Sequence, residues 1–236
     1  MLVIKEEYFD SLIFDMGNCK RCIELKNRNG KDCSLINIYE DDTFAKKIPS
    51  IWTDWYNRIN AKIMIIGQDW GPFVDMKELN NEYLQEENKD NWRRLIETER
   101  SSTKKMLTKY IIESSKGKIN SLDEIYITNA IMCARKGTQY RGNNIDLKKS
   151  TANCKEYLKK QIEIVKPKII LTLGYYPLKS LSDLYEFKIK DTLKTTIQHT
   201  PIIKKEHFTI IPLYHPVAQI KKEEQLEQYN RIWEHY

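Results

Sequence analysis

Residues 62–73 read KIMIIGQDWGPF, an apolar run that ends at Gly67 and passes into polar and aromatic residues. Three further runs have the same apolar character, and they lie at 125–129 (IYITN), 168–174 (KIILTLG) and 208–214 (FTIIPLY). Short apolar runs rich in β-branched residues are typical of strands in a parallel sheet that is covered on both faces. The sequence therefore predicts a central sheet of four parallel strands.

Polar segments with helical periodicity accompany these runs, at 92–116, 151–166, 175–186 and 221–234. Strands that alternate with helices are typical of βα units. The pattern therefore predicts an α/β fold of three layers, αβα, with helices on both faces of the four-stranded sheet. In the second of these helices, we expect Ser150 to be the N-cap and Cys154 to lie in the first turn.

Length and composition favour a single domain. The 236 residues can bury one substantial core. We expect 1–236 to form one domain, in which 1–60 is an N-terminal cap that carries a CxxC motif. No run approaches the roughly 18 apolar residues of a membrane span, so we expect a cytoplasmic protein that does not enter a membrane. The net charge of +6 permits a polyanionic partner without requiring one.

Polar side chains follow the predicted strands. Asp69 comes just after the first strand, Asn129 ends the second, and His215 follows the fourth. In parallel α/β sheets, ligands bind beyond the carboxyl ends of the strands. We therefore expect a carboxylate, an amide and an imidazole to meet at one edge of the sheet. Each of these residues also has a plain structural explanation, because such side chains often stabilise the turns at strand ends.

The order of these motifs resembles the uracil-DNA glycosylase superfamily. In that family a strand-end GQDPY or GExPG motif, a strand-end Asn and a late HPS or HPx motif surround the target base. The stretches 126–133 (YITNAIMC), 154–174 and 214–222 (YHPVAQIKK) are similar in order and spacing to the iron-sulfur branch, called family four. The resemblance covers residues 60–236 and also the N-terminal CxxC. It implies the uracil-DNA glycosylase-like fold.

The resemblance also implies an enzyme of base excision repair, which flips uracil out of DNA and hydrolyses its N-glycosidic bond to leave an abasic site. That reaction passes through a positively charged sugar and a departing anionic base. The resemblance assigns Asp69 to water activation and stabilisation of the sugar. It assigns His215 to the uracil oxygen that gains negative charge. Asn129 would match the O4 and N3–H edge of uracil.

Further residues are placed around the base by the same resemblance, namely Gly67, Gln68, Gly71 and Phe73. Phe73 is the candidate for stacking on the base, a contact worth about 1–3 kcal/mol, and Trp70 is its competitor. Either ring could instead fill the core. The chain combines features of two branches, since Asp69 is typical of the cluster-free branch. Gly71 stands where that branch has a Tyr that excludes the thymine methyl group.

DNA contacts are expected on two segments. After His215 an apolar stretch leads to Lys221 and Lys222, and the resemblance implies that this loop wedges into the duplex while the lysines contact phosphates. Lysines at the start of a surface helix are the plain alternative. Arg135 is a DNA-binding candidate on charge alone. The expected partner is uracil-containing DNA, single or double stranded, bound by a monomer.

Five cysteines in a chain without a predicted export signal argue against a disulfide framework. The family order assigns four of them to a [4Fe-4S] cluster, namely Cys19, Cys22, Cys133 and Cys154. Zinc held by the same four thiolates is the chief rival, since CxxC also occurs in zinc sites and redox pairs. Cys33 has no partner in this scheme and is expected to be a free thiol.

Two other functions stay open at this point. The chain could be a superfamily member that binds DNA or a modified base without hydrolysing uracil. Its mixed motifs and the missing proline of GQDP favour that alternative. It could also be a structural zinc protein with a protein partner, in which case the protein would be colourless.

Overall fold

The computed structural model describes residues 2–40, 55–71, 102–119, 124–137 and 144–236. Its strands are β1 (Leu35–Ile36), β2 (Ile63–Gly67), β3 (Ile125–Asn129), β4 (Ala134–Arg135), β5 (Ile169–Leu173), β6 (Ile203–Lys204) and β7 (Thr209–Leu213). Its α-helices are α1 (Leu2–Gly17), α2 (Trp55–Arg58), α3 (Ser102–Ser115), α4 (Leu147–Val165), α5 (Tyr175–Tyr185), α6 (Leu193–His199) and α7 (Lys222–Asn230). A 3-10 helix follows at Arg231–Glu234.

The central sheet has the strand order β3-β2-β5-β7-β6. The strands β3, β2, β5 and β7 are parallel, which confirms the four predicted strands, and β6 is antiparallel to β7 at the edge. The predicted number of strands was one too low, because a two-residue strand carries no detectable periodicity. In the pairing of β2 with β3, Gly67 lies opposite Asn129. This register sets two predicted site residues side by side.

The sheet separates two buried clusters of side chains. One contains Met64 and Ile66 of β2 together with side chains of α1, α4 and α5. The other contains Ile63 and Ile65 of β2 together with side chains of α3, α7 and the 3-10 helix. Successive side chains of a strand point to opposite faces, so the continuous apolar run of β2 has to be covered on both sides. The α/β fold of three layers is thereby confirmed.

Helix α4 begins at Leu147 rather than at residue 151. Its N-cap is Asp146, whose side chain accepts a hydrogen bond of 3.1 Å from the backbone N–H of Lys149. A carboxylate satisfies a free N–H of the first turn and also interacts favourably with the helix dipole. The prediction that Ser150 is the N-cap was therefore wrong. Cys154 lies well inside the helix and not in its first turn.

The N-terminal cap meets the sheet through Trp55 of α2. The Trp55 ring stacks on Tyr39 and Tyr126 at centroid distances of 5.9 and 6.0 Å. It also makes an edge contact with Phe9 of α1 at 5.6 Å. Its indole N–H donates to the carbonyl of Ile127 in β3 at 2.8 Å. The antiparallel pairing of β1 with β4 forms a separate two-stranded sheet, which connects the cap to the segment that follows β3.

Two expectations extend beyond the described ranges. The helix predicted at 92–116 is seen as α3, and residues 92–101 lie outside the described residues. The single domain over 1–236 stays a prediction for the same reason. Among the helices that are described, none is long and apolar enough to cross a membrane.

Candidate functional site

The loops that follow β2 and β3 are joined by backbone hydrogen bonds. These bonds run from Ala130 N–H to the Gly67 carbonyl (2.8 Å), from Ile131 N–H to the Gln68 carbonyl (2.9 Å) and from Arg135 N–H to the Gly71 carbonyl (2.8 Å). They continue the β2–β3 pairing beyond the strand ends. As a result, the GQDWG motif at 67–71 is fixed against the segment 130–135.

The side chain of Asn129 lies directly against Gly67. A Cβ atom on Gly67 would clash with Asn129 Oδ1, and the amide would have to move. Asn129 is buried, with 7 % of its surface exposed. A glycine is needed at position 67 because the amide fills the space that a side chain would take. The missing side chain leaves room for the amide at the strand end, beside the loop that carries Asp69.

Asp69 is held by three hydrogen-bond donors. Its Oδ1 accepts from the Gly71 backbone N–H at 2.8 Å and from Arg135 Nε at 3.1 Å, and its Oδ2 accepts from Gln68 Nε2 at 2.8 Å. Its side chain is only 3 % exposed. Hydrogen bonds that involve a charged group are strong, and the guanidinium compensates the buried negative charge. The carboxylate is therefore fixed in one orientation.

His215 lies on the loop that follows β7 and is exposed to solvent. The protein packed against one side of the imidazole lowers its pKa, because burial disfavours the charged form. The negative charge of Asp69 opposes this shift by a smaller amount. The two side chains therefore lie within electrostatic reach of each other. The lowered pKa keeps the imidazole neutral at neutral pH.

Two buried glutamines of α7 hold the loop that carries His215. Gln225 Nε2 donates to the His215 carbonyl at 2.9 Å, and Gln228 Oε1 accepts from the Tyr214 backbone N–H at 3.2 Å. The Ala218 backbone N–H also donates to the His215 carbonyl, at 2.8 Å. Neither glutamine was predicted from the sequence to support the site. Their spacing of three residues places them on one face of a helix, and that was the available signal.

The edge of the sheet therefore carries a fixed carboxylate, a buried amide and a neutral imidazole. Asp69 and Asn129 are linked through the joined loops after β2 and β3, and His215 is linked to Asp69 by charge. A fixed carboxylate can stabilise positive charge on a sugar. A neutral imidazole and an amide can donate hydrogen bonds to oxygens that gain negative charge. The arrangement suits the cleavage of a bond between a sugar and a base.

The other predicted base-binding residues have different surroundings. Gln68 is turned towards Asp69, to which its amide donates. Gly71 has a φ of +81°, a conformation that favours glycine. Phe73 lies outside the described residues. Its competitor Trp70 donates from its indole N–H to the Met132 carbonyl at 2.8 Å and packs, partly buried, against the cluster that contains Met64 and Ile66.

The predicted DNA-binding residues differ in their partners and in their exposure to solvent. Arg135 pairs with Asp69 inside the site, although its side chain is still 36 % exposed. The prediction for Arg135 rested on its charge alone, and this pairing was not predicted. Lys222 pairs with Glu113 at 3.8 Å, and Lys221 is exposed beside it. Val217 is 42 % exposed, which suits a residue at the tip of an inserting loop.

The cysteines assigned to a metal centre are drawn together by the fold. The pKa of Cys154 is raised to about 12, mainly by burial, and the charges of Cys22 and Cys19 add to the effect. Burial raises the pKa of Cys133, and the charges of Cys154, Cys22 and Cys19 raise it further. The four thiols therefore lie within electrostatic reach of one another. Cys33 is buried, and all five cysteines are free of disulfides.

The surroundings of these thiols fit a group held by four thiolates. The Met132 backbone N–H donates to Cys154 Sγ at 3.4 Å, and Asn153 Nδ2 donates to Cys22 Sγ at 3.3 Å. Such donors stabilise a thiolate, whereas burial alone would keep the thiols protonated. In the described part of the chain, no three His, Cys, Asp or Glu side chains form a ready site for a single metal ion.

Replacement of Gly67 tests the space that Asn129 occupies. We expect Gly67→Ala to lower the free energy of unfolding by about 1–3 kcal/mol, the usual cost of overpacking. Because the clash is with the Asn129 side chain, most of this cost should disappear in an Asn129→Ala background. Urea unfolding of both single variants and the double variant measures the coupling. An equal cost in both backgrounds would show that the clash lies elsewhere.

The titration of His215 tests its electrostatic link to Asp69. We expect His215 to titrate below the ordinary value of about 6.5, because burial disfavours the imidazolium. Asp69→Asn removes a negative charge that raises this pKa, so the pKa should fall further. NMR of the four histidine C–H resonances against pH, assigned with His215→Gln, measures the change. Asp183→Asn on α5 serves as the control, and a rise in Asp69→Asn would contradict the arrangement.

Comparison with known proteins agrees with the geometry. Residues 53–236 match the uracil DNA glycosylase superfamily, so the CxxC of the cap lies outside this match. The type-4 uracil-DNA glycosylase of Sulfurisphaera tokodaii is 31 % identical over 100 residues, which are 42 % of this chain and 43 % of the relative. The type-4 uracil-DNA glycosylase of Archaeoglobus fulgidus is 26 % identical over 109 residues, which are 45 % of this chain and 52 % of the relative.

The chain spans about half the length of these curated relatives, and their names agree with the predicted resemblance to the iron-sulfur branch. The superfamily match itself covers most of the chain and contains Asp69, Asn129 and His215. On this evidence, the chain belongs to the uracil DNA glycosylase superfamily.

Proposed function

We propose that this protein removes uracil from DNA by hydrolysing the N-glycosidic bond of a flipped-out nucleotide, which leaves an abasic site for repair. The observation that carries the proposal is the fixed Asp69 carboxylate within electrostatic reach of His215, at the sheet edge where Asn129 also lies. Membership of the superfamily and the names of the two relatives support the same activity.

Recognition of uracil would rest on Asn129. Its amide offers one donor and one acceptor on the same side chain, which fits the O4 and N3–H edge of uracil and mismatches the edge of cytosine. The close approach to Gly67 would keep the amide in the orientation that this discrimination needs. Phe73 is proposed to stack on the flipped base, and Gly67, Gln68 and Gly71 to shape the backbone around it.

Departure of the base would rest on His215. As the glycosidic bond breaks, its electrons pass to the uracil, and negative charge grows on a ring oxygen. A neutral imidazole can donate an N–H to that oxygen without losing its proton, which is preorganised electrostatic stabilisation. The lowered pKa of His215 favours this neutral form. The bonds from Gln225 and Ala218 to the His215 carbonyl would hold the loop in place.

Attack on the sugar would rest on Asp69. A carboxylate offers about four lone-pair positions to hydrogen-bond donors. Gly71, Arg135 and Gln68 use three of them among the described residues, which leaves room for one water molecule. A carboxylate so tied is better suited to orient water and to stabilise the cationic sugar than to accept a proton early. This division of roles fits a dissociative reaction, in which the leaving group departs first.

Contact with DNA would come from the loop after His215. Val217 is exposed at this loop and is the proposed wedge, with Lys221 and Lys222 near the phosphates. The free side of the Arg135 guanidinium would add a further contact. The proposed substrate is uracil-containing DNA, single or double stranded. We propose that the protein acts on it as a monomer in the cytoplasm.

The proposed cofactor is a [4Fe-4S] cluster held by Cys19, Cys22, Cys133 and Cys154. The four thiols lie within electrostatic reach of one another, and the names of the two relatives support the iron-sulfur branch. Zinc held by the same four thiolates is the alternative. When bound, the cluster would supply a covalent link between the cap and the sheet. We assign it no step of the hydrolysis.

Release of uracil from DNA tests the proposed function. We expect the wild-type protein to release uracil from an oligonucleotide with a single uracil, detected as alkali cleavage at the abasic site. Asp69→Asn should lower the rate of the chemical step by about 100-fold or more, because it removes the charge that stabilises the sugar. Binding of the oligonucleotide should change little, since the substitution keeps the shape of the side chain.

The exposed Asp183→Asn variant should keep the wild-type rate. Full activity of Asp69→Asn would remove Asp69 from the mechanism. Tight binding of uracil-containing DNA without release of uracil by the wild type would favour the non-hydrolysing alternative.

The cofactor is tested by colour and metal content. Protein purified without oxygen should be brown and contain about four irons per chain, because iron bound to thiolate absorbs visible light. Cys133→Ser should lose iron and colour, while Cys33→Ser should keep both. Stoichiometric zinc in a colourless wild-type protein would overturn the cluster in favour of a zinc site.

A further inference from the structure

Tyr39 carries a buried hydroxyl group without a hydrogen-bond partner among the described residues. The residue is only 6 % exposed, so water does not satisfy the group from outside. Leaving a buried hydroxyl unpaired costs about 1–3 kcal/mol. Such a group in a native protein requires an explanation, and a bound group that supplies the missing acceptor is one.

Tyr39 lies between the two segments that bring cysteines to the metal centre. A Cβ atom on Gly17 would lie 2.8 Å from the Tyr39 carbonyl oxygen, so the end of α1 runs directly against Tyr39. Nearby, Asn37 Nδ2 donates to the carbonyl of Cys19 at 3.0 Å and ties the start of the CxxC loop to the same place. On the other side, β1 pairs with β4, which begins immediately after Cys133.

The Tyr39 ring is fixed in a buried cluster that also contains Cys154. The ring stacks on Trp55 with an interplanar angle of 15°. Burial raises the pKa of Tyr39, and the charges of Cys133 and Cys154 raise it further, so both thiols lie within electrostatic reach of the hydroxyl. The Trp70 indole N–H lies near enough to the Tyr39 hydroxyl to lower this pKa and oppose the shift. It is a donor only and is bonded to the Met132 carbonyl, so the Tyr39 hydroxyl proton has no acceptor among the described residues.

We propose that Tyr39 donates a hydrogen bond to a sulfur atom of the metal centre held by Cys133 and Cys154, and that this bond sets the stability and the reduction potential of the centre. The acceptor is a cysteine thiolate or a sulfide of the cluster. This inference rests on the iron-sulfur centre of the proposed function. It does not depend on the hydrolysis of uracil.

The physical effect follows from charge. Addition of an electron to the cluster increases the negative charge on its sulfur atoms, and a hydrogen bond to sulfur stabilises that state. Removal of the hydroxyl should therefore lower the reduction potential. It should also lower the affinity for iron, since groups that contact metal ligands typically contribute about 10–100-fold to metal affinity.

The test compares Tyr39→Phe with the wild type in the full, cluster-loaded chain. We expect a lower reduction potential in an anaerobic dye-mediated titration, and loss of iron to a chelator about tenfold faster. Tyr229→Phe is the matched control, because it also removes a fully buried hydroxyl without a described partner, in the cluster on the opposite face of the sheet. It should change neither quantity.

A measurement on the wild type covers the case in which Tyr39→Phe does not fold. Deuterium exchange of a hydroxyl bonded to sulfur should shift the iron–sulfur stretching bands in the resonance Raman spectrum. The inference would be overturned if the wild-type bands shifted no more than exchange of the Met132 amide alone can explain. It would also be overturned if Tyr39→Phe and Tyr229→Phe had the same reduction potential and lost iron at the same rate.

Iron content and uracil release are measured separately on the same wild-type protein. If the protein contains iron but does not release uracil, the proposed function is overturned. The role of Tyr39 can then still be tested through the reduction potential of the metal centre. Protein that holds no iron would overturn the role of Tyr39, whatever its activity on DNA.

Discussion

The site depends on a steric constraint at the end of β2, where the absence of a side chain at Gly67 makes room for the amide of Asn129. The parallel pairing of β2 with β3 sets these two residues opposite each other. Beyond the strand ends, the backbone bonds between the two loops carry the constraint onward to Asp69 and Arg135. The amide and the carboxylate are thus positioned by the register of one pair of strands.

Much of this arrangement could be predicted from the sequence, because it follows from where buried strands end. The run 63–66 is apolar at every position, which is typical of a strand in a sheet covered on both faces. Parallel strands end at one edge, so Asp69, Asn129 and His215 were expected at the same edge of the sheet. The short cap strands and β6 could not be predicted, since two residues carry no period.

The directions of individual side chains could not be predicted from the sequence. Arg135 has a charge that suits DNA, and only the position of β4 beside the β2 loop turns it towards Asp69. Trp70 stands in the motif where a base could bind, yet its indole N–H is bonded to the Met132 carbonyl and its ring packs against a buried cluster. Ser150 has good N-cap chemistry, but Asp146 lies one turn earlier and starts the helix first. In each case the deciding partner is distant in sequence or competes with an equally plausible residue.

The short path from Cys133 to Arg135 limits how chains of this kind can change in length. Arg135 faces Asp69 with its side chain and binds the Gly71 carbonyl with its backbone, two positions after a proposed metal ligand. Side chains alternate along an extended strand, so one residue inserted or deleted between Cys133 and Arg135 would turn the guanidinium to the opposite face. Insertions and deletions in this part of the chain are therefore compatible with the site only on the C-terminal side of β4.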